Sequence, residues 1–352
     1  MKSGPVKAFL THPTRIGWIG VVLLAVLFAT IGDPTYIHLG SLVAIWALWG
    51  SSFNLIWGYA GQFSLAQVGF GAVAGYSVAI LTTRYGWSFW AAVPLAIALT
   101  VLFSVVVGYF SLRLSGFYFA IMTLAFALLV VRVISSSELA GRSTGIKSNF
   151  DIGTISLGPL EWDLTSRTGG FVLLAFVLLA AVLAFIGRIE RSGTGWALNG
   201  LREDETLSRS LGIEPLRFRL VGFMVSAVIA AIGGILYATY LRYISPGFFG
   251  LPAVIAMIAL VVLGGRGFRF GPVLGAVVYI AITQWLEVGG EWGDGVFGAL
   301  LILLVLFAPK GLLGIDLRRL RRRPERPAPT DDDDPAAAQP PPPTRENQGA
   351  KA

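Results

Sequence analysis

The apolar positions of this chain fall in long unbroken blocks, without the strict alternation expected of half-buried strands. A helix rises about 1.5 Å per residue, so crossing a ~30 Å hydrocarbon core takes roughly 20 mostly apolar residues. Ten stretches meet or approach that length: 16–31, 36–57, 59–82, 87–112, 117–135, 169–187, 218–241, 251–264, 271–286 and 296–308. The eighth and the last are short and predict half-helices. The pattern therefore predicts an all-α, polytopic membrane protein of about ten transmembrane helices, with broken or re-entrant segments among them. The first block follows Lys2, Lys7 and Arg15, but no small-x-small cleavage site follows it, so it reads as an anchor.

Composition narrows the class further. Hydrophobic residues make up 55% of the 352 positions and charged residues 13%, with a mean hydropathy of +0.72. A soluble domain carries about 25% charge, so a soluble enzyme and a disordered chain are excluded. There is no cysteine, which removes disulfides, thiolate nucleophiles and Cys-based metal sites. The two histidines, His12 and His38, make no His-x-x-x-His pair, so neither a metal nor another cofactor is expected.

The formal charge of +7 reads as basic loops on one membrane face, not as a nucleic-acid surface. Ten spans put both termini on one side. With that side in the cytoplasm, nineteen Lys and Arg residues near the spans lie inside and six outside. The loop with Glu287, Glu291 and Asp294 carries no basic residue and falls outside, as the positive-inside rule expects. Residues 1–317 form the membrane domain, including a cytoplasmic loop at 188–217. Residues 318–352 form a tail that begins basic and turns Pro- and Asp-rich. Its few apolar side chains cannot offset ordering entropy.

Some chemistry is absent. None of the five lysines follows a glycine, so there is no Gly-Lys-Ser/Thr phosphate loop. The span interiors are almost free of ionisable groups, and Arg132 sits near a span end where it can snorkel. If the chain moves a solute uphill, another polypeptide supplies the energy.

Three motifs remain. Ser64, Gln67, Gly71 and Gly75 are spaced three, four and four apart, one stripe if the segment is helical. Gly58 and Gly61 make local unwinding cheap. The stripe fits a cavity-lining broken helix, with Gln62, Ser64 and Gln67 on the translocation pathway. It fits equally a small-residue helix contact through Gly71 and Gly75. In the seventh span Gly222, Ser226, Ala230 and Gly234 recur every four residues, a close-packing stripe. In the loop, Leu198, Leu201, Leu207 and Leu211 recur at roughly helical spacing. Arg202, Glu203, Glu205 and Arg209 give it mixed charge, and Gly212 is a C-terminal stop. Mixed charge suits a protein groove better than a membrane surface.

Taken together, these stretches resemble the permease subunits of branched-chain amino acid ABC importers of the LivM type. The likeness rests on Gly58-Tyr-Ala-Gly-Gln-Phe-Ser-Leu, on Leu112-Arg-Leu-Ser-Gly-Phe-Tyr-Phe and on the 202–212 loop. Ser245-Pro, Gly271-Pro-Val-Leu-Gly-Ala276 and Pro309-Lys-Gly-Leu312 add to it. The resemblance implies a second LivH-type permease, two cytoplasmic ABC ATPases and an extracytoplasmic binding protein as partners. It implies that Arg202, Glu203, Glu205, Arg209 and Gly212 lie in a coupling helix that engages an ATPase, and a location in a bacterial inner membrane. The chain departs from the pattern at Ala66-Gln67 (commonly Gly-His), at Leu128 and Ala256 (carboxylates) and at Phe268 (a small Ser). Leu207 and Ser208 replace small alanines. Urea or a short amide is an alternative substrate within the same architecture. A stand-alone secondary carrier or channel is the alternative of a different class.

Overall fold

The computed structural model describes residues 6–30, 33–147, 152, 154–157, 160–163 and 168–287, all within one unit, Met1–Ile315. Eleven helices run along the described residues: α1 (Val6–Thr30), α2 (Pro34–Asn54), α3 (Gln67–Tyr85), α4 (Phe89–Ser111), α5 (Phe117–Ser136), α6 (Gly169–Glu190), α7 (Gly193–Glu203), α8 (Glu205–Ser210), α9 (Pro215–Leu241), α10 (Leu251–Gly264) and α11 (Gly271–Glu287). Nine of the ten sequence blocks coincide with a helix among them. The block at 296–308, the basic run after Lys310 and the tail lie outside the described residues.

Local chemistry sets the helix ends. The Asp33 carboxylate accepts from Thr35 N at 2.8 Å, and Pro34 supplies a preset φ at the first position of α2. Gly86 closes α3 in the left-handed region at φ +66°. Among the described residues, five helical segments are long and apolar enough to cross a bilayer: Pro34–Tyr59, Phe89–Ser111, Phe117–Ser136, Gly169–Glu190 and Pro215–Leu241. The apolar stretches of α1, α10 and α11 are shorter.

The core is the layer made by α2, α3 and α9. The α10–α11 hairpin and α6 pack against α2, and α1 packs on α6. The apolar window of α2 is 89% buried, whereas those of α4 and α5 are 33% and 28% buried. A helix that is apolar all round yet largely uncovered needs lipid or a partner as its solvent. Strands are minimal among the described residues. β1 (Ile146–Lys147) pairs antiparallel with β4 (Tyr243–Ile244), Ile146 opposite Ile244, and β2 (Thr154–Leu157) forms a hairpin with β3 (Leu160–Asp163). The all-helical expectation therefore holds apart from two short ladders.

Two helix boundaries differ from the sequence reading. The third apolar block does not begin a helix at Tyr59. Instead α2 widens into a π-turn at Leu55–Tyr59, residues 61–65 leave helical geometry, and α3 starts at Gln67. The loop after α6 is not one helix either. Asp204 breaks it, ending α7 and capping α8 with its carboxylate on Leu207 N at 2.9 Å.

Candidate translocation segment and coupling element

The unwound stretch after α2 is held from several sides. Gly61 sits at φ +71°, a left-handed conformation that favours glycine. Gln62 N donates to Ile56 O at 3.0 Å, and Leu65 N donates to the Thr123 hydroxyl of α5 at 3.0 Å. Ser64 is fully buried and accepts from Ala66 N at 3.3 Å, while Gln62 is half-buried. Ser64 precedes α3, so the helical stripe starts at Gln67 and runs through Gly71 and Gly75.

Gln67 points into the α3–α9 contact. Its Nε2 donates to Ser226 Oγ at 3.4 Å, and its Oε1 is buried without a partner. Ser226 Oγ already donates to Phe223 O at 2.8 Å, which fixes the orientation of the pair. An acceptor left empty in the interior costs about 1–3 kcal/mol. In this conformation Ser64 and Gln67 both show no exposed surface. Further along, α3 and α9 come within backbone contact. A Cβ at Gly75 would lie 2.9 Å from Gly234 O, and one at Gly234 would lie 2.6 Å from Gly71 Cα. A Cβ at Gly71 would lie 2.7 Å from the Trp49 indole nitrogen, which donates to Ala230 O at 3.0 Å. Gly222 faces α7: its Cβ would meet Leu198 Cδ1 at 3.3 Å.

The α7–α8 element has two faces. Leu198 and Leu201 are buried, whereas Leu207 and Leu211 are 59% and 73% exposed. Glu205 receives Arg209 Nη2 at 2.6 Å and Arg219 Nη2, from α9, at 2.8 Å. Burial alone would raise the Glu205 carboxyl, but the hydrogen bonds from Arg219 and Arg209 outweigh it and hold its pKa below the usual value. Gly212 sits at φ +82°, and Ile213 N closes back on Ser208 O at 3.1 Å. A cavity of about 680 Å³ opens between α8, the α4–α5 turn and the start of α9. Arg113, Glu205, Arg209, Glu214 and Arg219 line it. Glu203 is on the outer side, 3.5 Å from Arg202. Arg202 itself turns inward, where its Nη1 donates to Gly58 O.

A polar cluster around the foot of α2 was not singled out from the sequence. Asn54 donates to Phe268 O at 3.0 Å and accepts from Gly267 N at 2.8 Å. Tyr59 donates to Glu190, which also pairs with Arg269. The signal for Asn54 was there, an amide inside an apolar run. Glu190 ends α6 and Arg269 lies in the turn between α10 and α11, so only folding brings them together. The departures at Leu128, Ala256 and Phe268 are scattered: Ala256 is buried, while Leu128 and Phe268 are exposed.

Residues 36–305 match the family model described as the branched-chain amino acid transport system permease component. The chain is 30% identical over 332 residues to the high-affinity branched-chain amino acid transport system permease protein LivM of Escherichia coli (strain K12), covering 88% of this chain and 77% of that protein. It is 28% identical over 197 residues to the corresponding LivH of Salmonella typhimurium, covering 55% of this chain and 63% of that one. No solved structure matches. A family match across most of the described helices, on a bundle of apolar spans, makes this multi-pass membrane protein a transport subunit and not an enzyme: the chain belongs to the branched-chain amino acid transport permease family.

Proposed function

We propose that this chain is one of two permease subunits of an ATP-driven importer for branched-chain or related hydrophobic amino acids. Its partner is a LivH-type permease, two ABC ATPases bind on the cytoplasmic side, and an extracytoplasmic binding protein delivers substrate. Both termini then lie in the cytoplasm, on the side of α7 and α8.

The observation that carries this reading is the α7–α8 element. It offers exposed Leu207 and Leu211, mixed charge and an adjoining charged cavity on a chain with no phosphate loop of its own. Relatives named LivM and LivH supply the substrate class and the second permease. A zwitterion crossing the membrane must replace its water hydrogen bonds or lose several kcal/mol per polar group. Gln62, Ser64 and Gln67 offer amide and hydroxyl groups without a fixed charge that would trap it. The empty acceptor on Gln67 Oε1 suits an ammonium donor once α3 and α9 part.

The test is reconstitution in proteoliposomes with the second permease, the ATPases and the binding protein. ATP-dependent leucine uptake is expected. Uptake of urea in place of leucine would select the short-amide alternative. Sustained uphill uptake by this chain alone, driven by a proton or sodium gradient, would overturn the reading.

A further inference from the structure

Where α2 ends, the last carbonyls of the helix lose their regular partners. The π-turn recovers two of them, since Ala60 N reaches Leu55 O at 3.4 Å and Gln62 N reaches Ile56 O at 3.0 Å. The Gly58 carbonyl takes the Arg202 guanidinium instead. Both glycines of this turn are shaped around their neighbours. A Cβ at Gly61 would lie 2.7 Å from Arg202 Cγ, and one at Gly58 would lie 2.8 Å from Gly267 N. The Arg202 side chain is 30% exposed, against 76% for its neighbour Glu203. It lies on the same helical face as Leu198, four residues earlier, which is buried against α9.

We propose that Arg202 is a positioning residue that pins α7 to the turn at Gly58–Gly61, which leads into the unwound segment 61–65, so that movement of the α7–α8 element is delivered to the segment carrying Gln62 and Ser64. The inference rests on reading α7–α8 as the coupling element. That element has two anchors. Glu205–Arg219 ties α8 to α9, and Arg202–Gly58 ties α7 to the break after α2. A push on Leu207 and Leu211 reaches the α9 side through the first and the pathway side through the second. A guanidinium suits the second anchor because it stays charged and forks, holding a backbone carbonyl while its stem covers Gly61.

The experiment uses the full complex with leucine as the transported probe. Arg202→Ala should leave the ATPases bound and ATP hydrolysis within about twofold of wild type. Leucine uptake should fall about tenfold or more, the scale of one lost charge-assisted hydrogen bond. Arg202→Lys, which keeps one charged donor, should recover part of the uptake. The single substitution Gln62→Cys gives a readout that a merely structural role would not move. Reaction of the new thiol with a small reagent should change with nucleotide in the Arg202 background and stay constant with Arg202→Ala. If the alanine variant does not fold or insert into the membrane, Arg202→Gln should show the same split between hydrolysis and uptake, to a smaller degree.

Loss of the ATPases from Arg202→Ala would make it a docking residue and overturn the pin. So would uptake at the wild-type level, or an undiminished nucleotide response of the thiol at position 62. Leu207→Asp separates the two readings. If it releases the ATPases while Arg202→Ala transports normally, only the pin is wrong. If the ATPases stay bound and coupled in Leu207→Asp, the coupling-element reading itself fails.

Discussion

Substituting Gly234 by alanine tests the backbone contact between α3 and α9. The added Cβ would stand 2.6 Å from both the carbonyl carbon and Cα of Gly71. Carbon atoms pack at about 3.5–4.0 Å, so α3 and α9 must separate by about 1 Å at that level. Backbone cannot rotate away as a side chain can. Overpacking of this kind costs about 1–3 kcal/mol. The Gln67–Ser226 bond, already 3.4 Å long, breaks as the helices part and adds about 0.5–1.5 kcal/mol. Alanine returns up to about 1 kcal/mol through its better helix propensity. The expected net loss is therefore about 0.5–4.5 kcal/mol. Gly20→Ala is the control, because its Cβ meets nothing within 4 Å and only the propensity gain acts. Unfolding in micelles of rising SDS content, followed by helical circular dichroism, gives the midpoints. If Gly234→Ala unfolds at or above the wild-type midpoint, as Gly20→Ala should, the backbone contact between α3 and α9 is not there.

Three further outcomes follow from the α7–α8 element and from Gln67. Gly212→Val forces a β-branched residue to φ +82°, at a cost of about 1–2 kcal/mol. It should loosen the end of α8 and lower substrate-stimulated ATP hydrolysis, while Gly212→Asn is tolerated; equal hydrolysis in both variants would refute the role of that turn. Because the Glu205 pKa is lowered, its link to Arg209 and Arg219 stays complete above the ordinary Glu value of about 4.3 and is lost as pH falls through the lower native value. With Glu205 38% exposed, solvent holds the contribution to about 1 kcal/mol or less. Hydrogen exchange in α8, corrected for intrinsic rates, should be flat from about pH 8 to 5 and rise below about 4, and Glu205→Gln should abolish that step. Gln67→Leu should slow leucine uptake without changing the affinity of the binding protein. If cysteines substituted at positions 62, 64 and 67 stay unreactive to small water-soluble reagents throughout the ATP cycle, the cluster is helix packing alone.

The spans were legible because a bilayer leaves little choice. Every backbone polar group must be satisfied within the segment, so long apolar blocks become helices. The small-residue stripes carried a signal as well: Gly75 and Gly234 face backbone across the α3–α9 contact, while Gly71 faces the Trp49 indole. The place where helix stops was legible only in part. Gly58 and Gly61 marked cheap unwinding, but the apolar blocks on either side and the helical spacing of Ser64, Gln67, Gly71 and Gly75 fitted a continuous helix from Tyr59 as well. The wide turn at Leu55–Tyr59 satisfies two carbonyls locally, through Ala60 N and Gln62 N, but the Gly58 carbonyl depends on Arg202, far away in the sequence.

Charge was legible in amount but not in direction. Arg202, Glu203, Glu205 and Arg209 looked alike along the sequence, as one mixed-sign patch facing a partner. The helix period already held the distinction, since Arg202 falls four residues after Leu198 and one after Leu201, both buried. A cation on the apolar face of an amphipathic helix must find a partner inside, and the free carbonyl of a broken helix end is a good one. Arg202 therefore faces both ways, one nitrogen on Gly58 O and the other 3.5 Å from Glu203. Glu203, Arg209, Leu207 and Leu211 remain on the outer side, while Arg202 and Glu205 both reach back into the bundle, to Gly58 and Arg219. The loop thus presents Leu207 and Leu211 outward and polar anchors inward, the arrangement that the proposed coupling role requires of it.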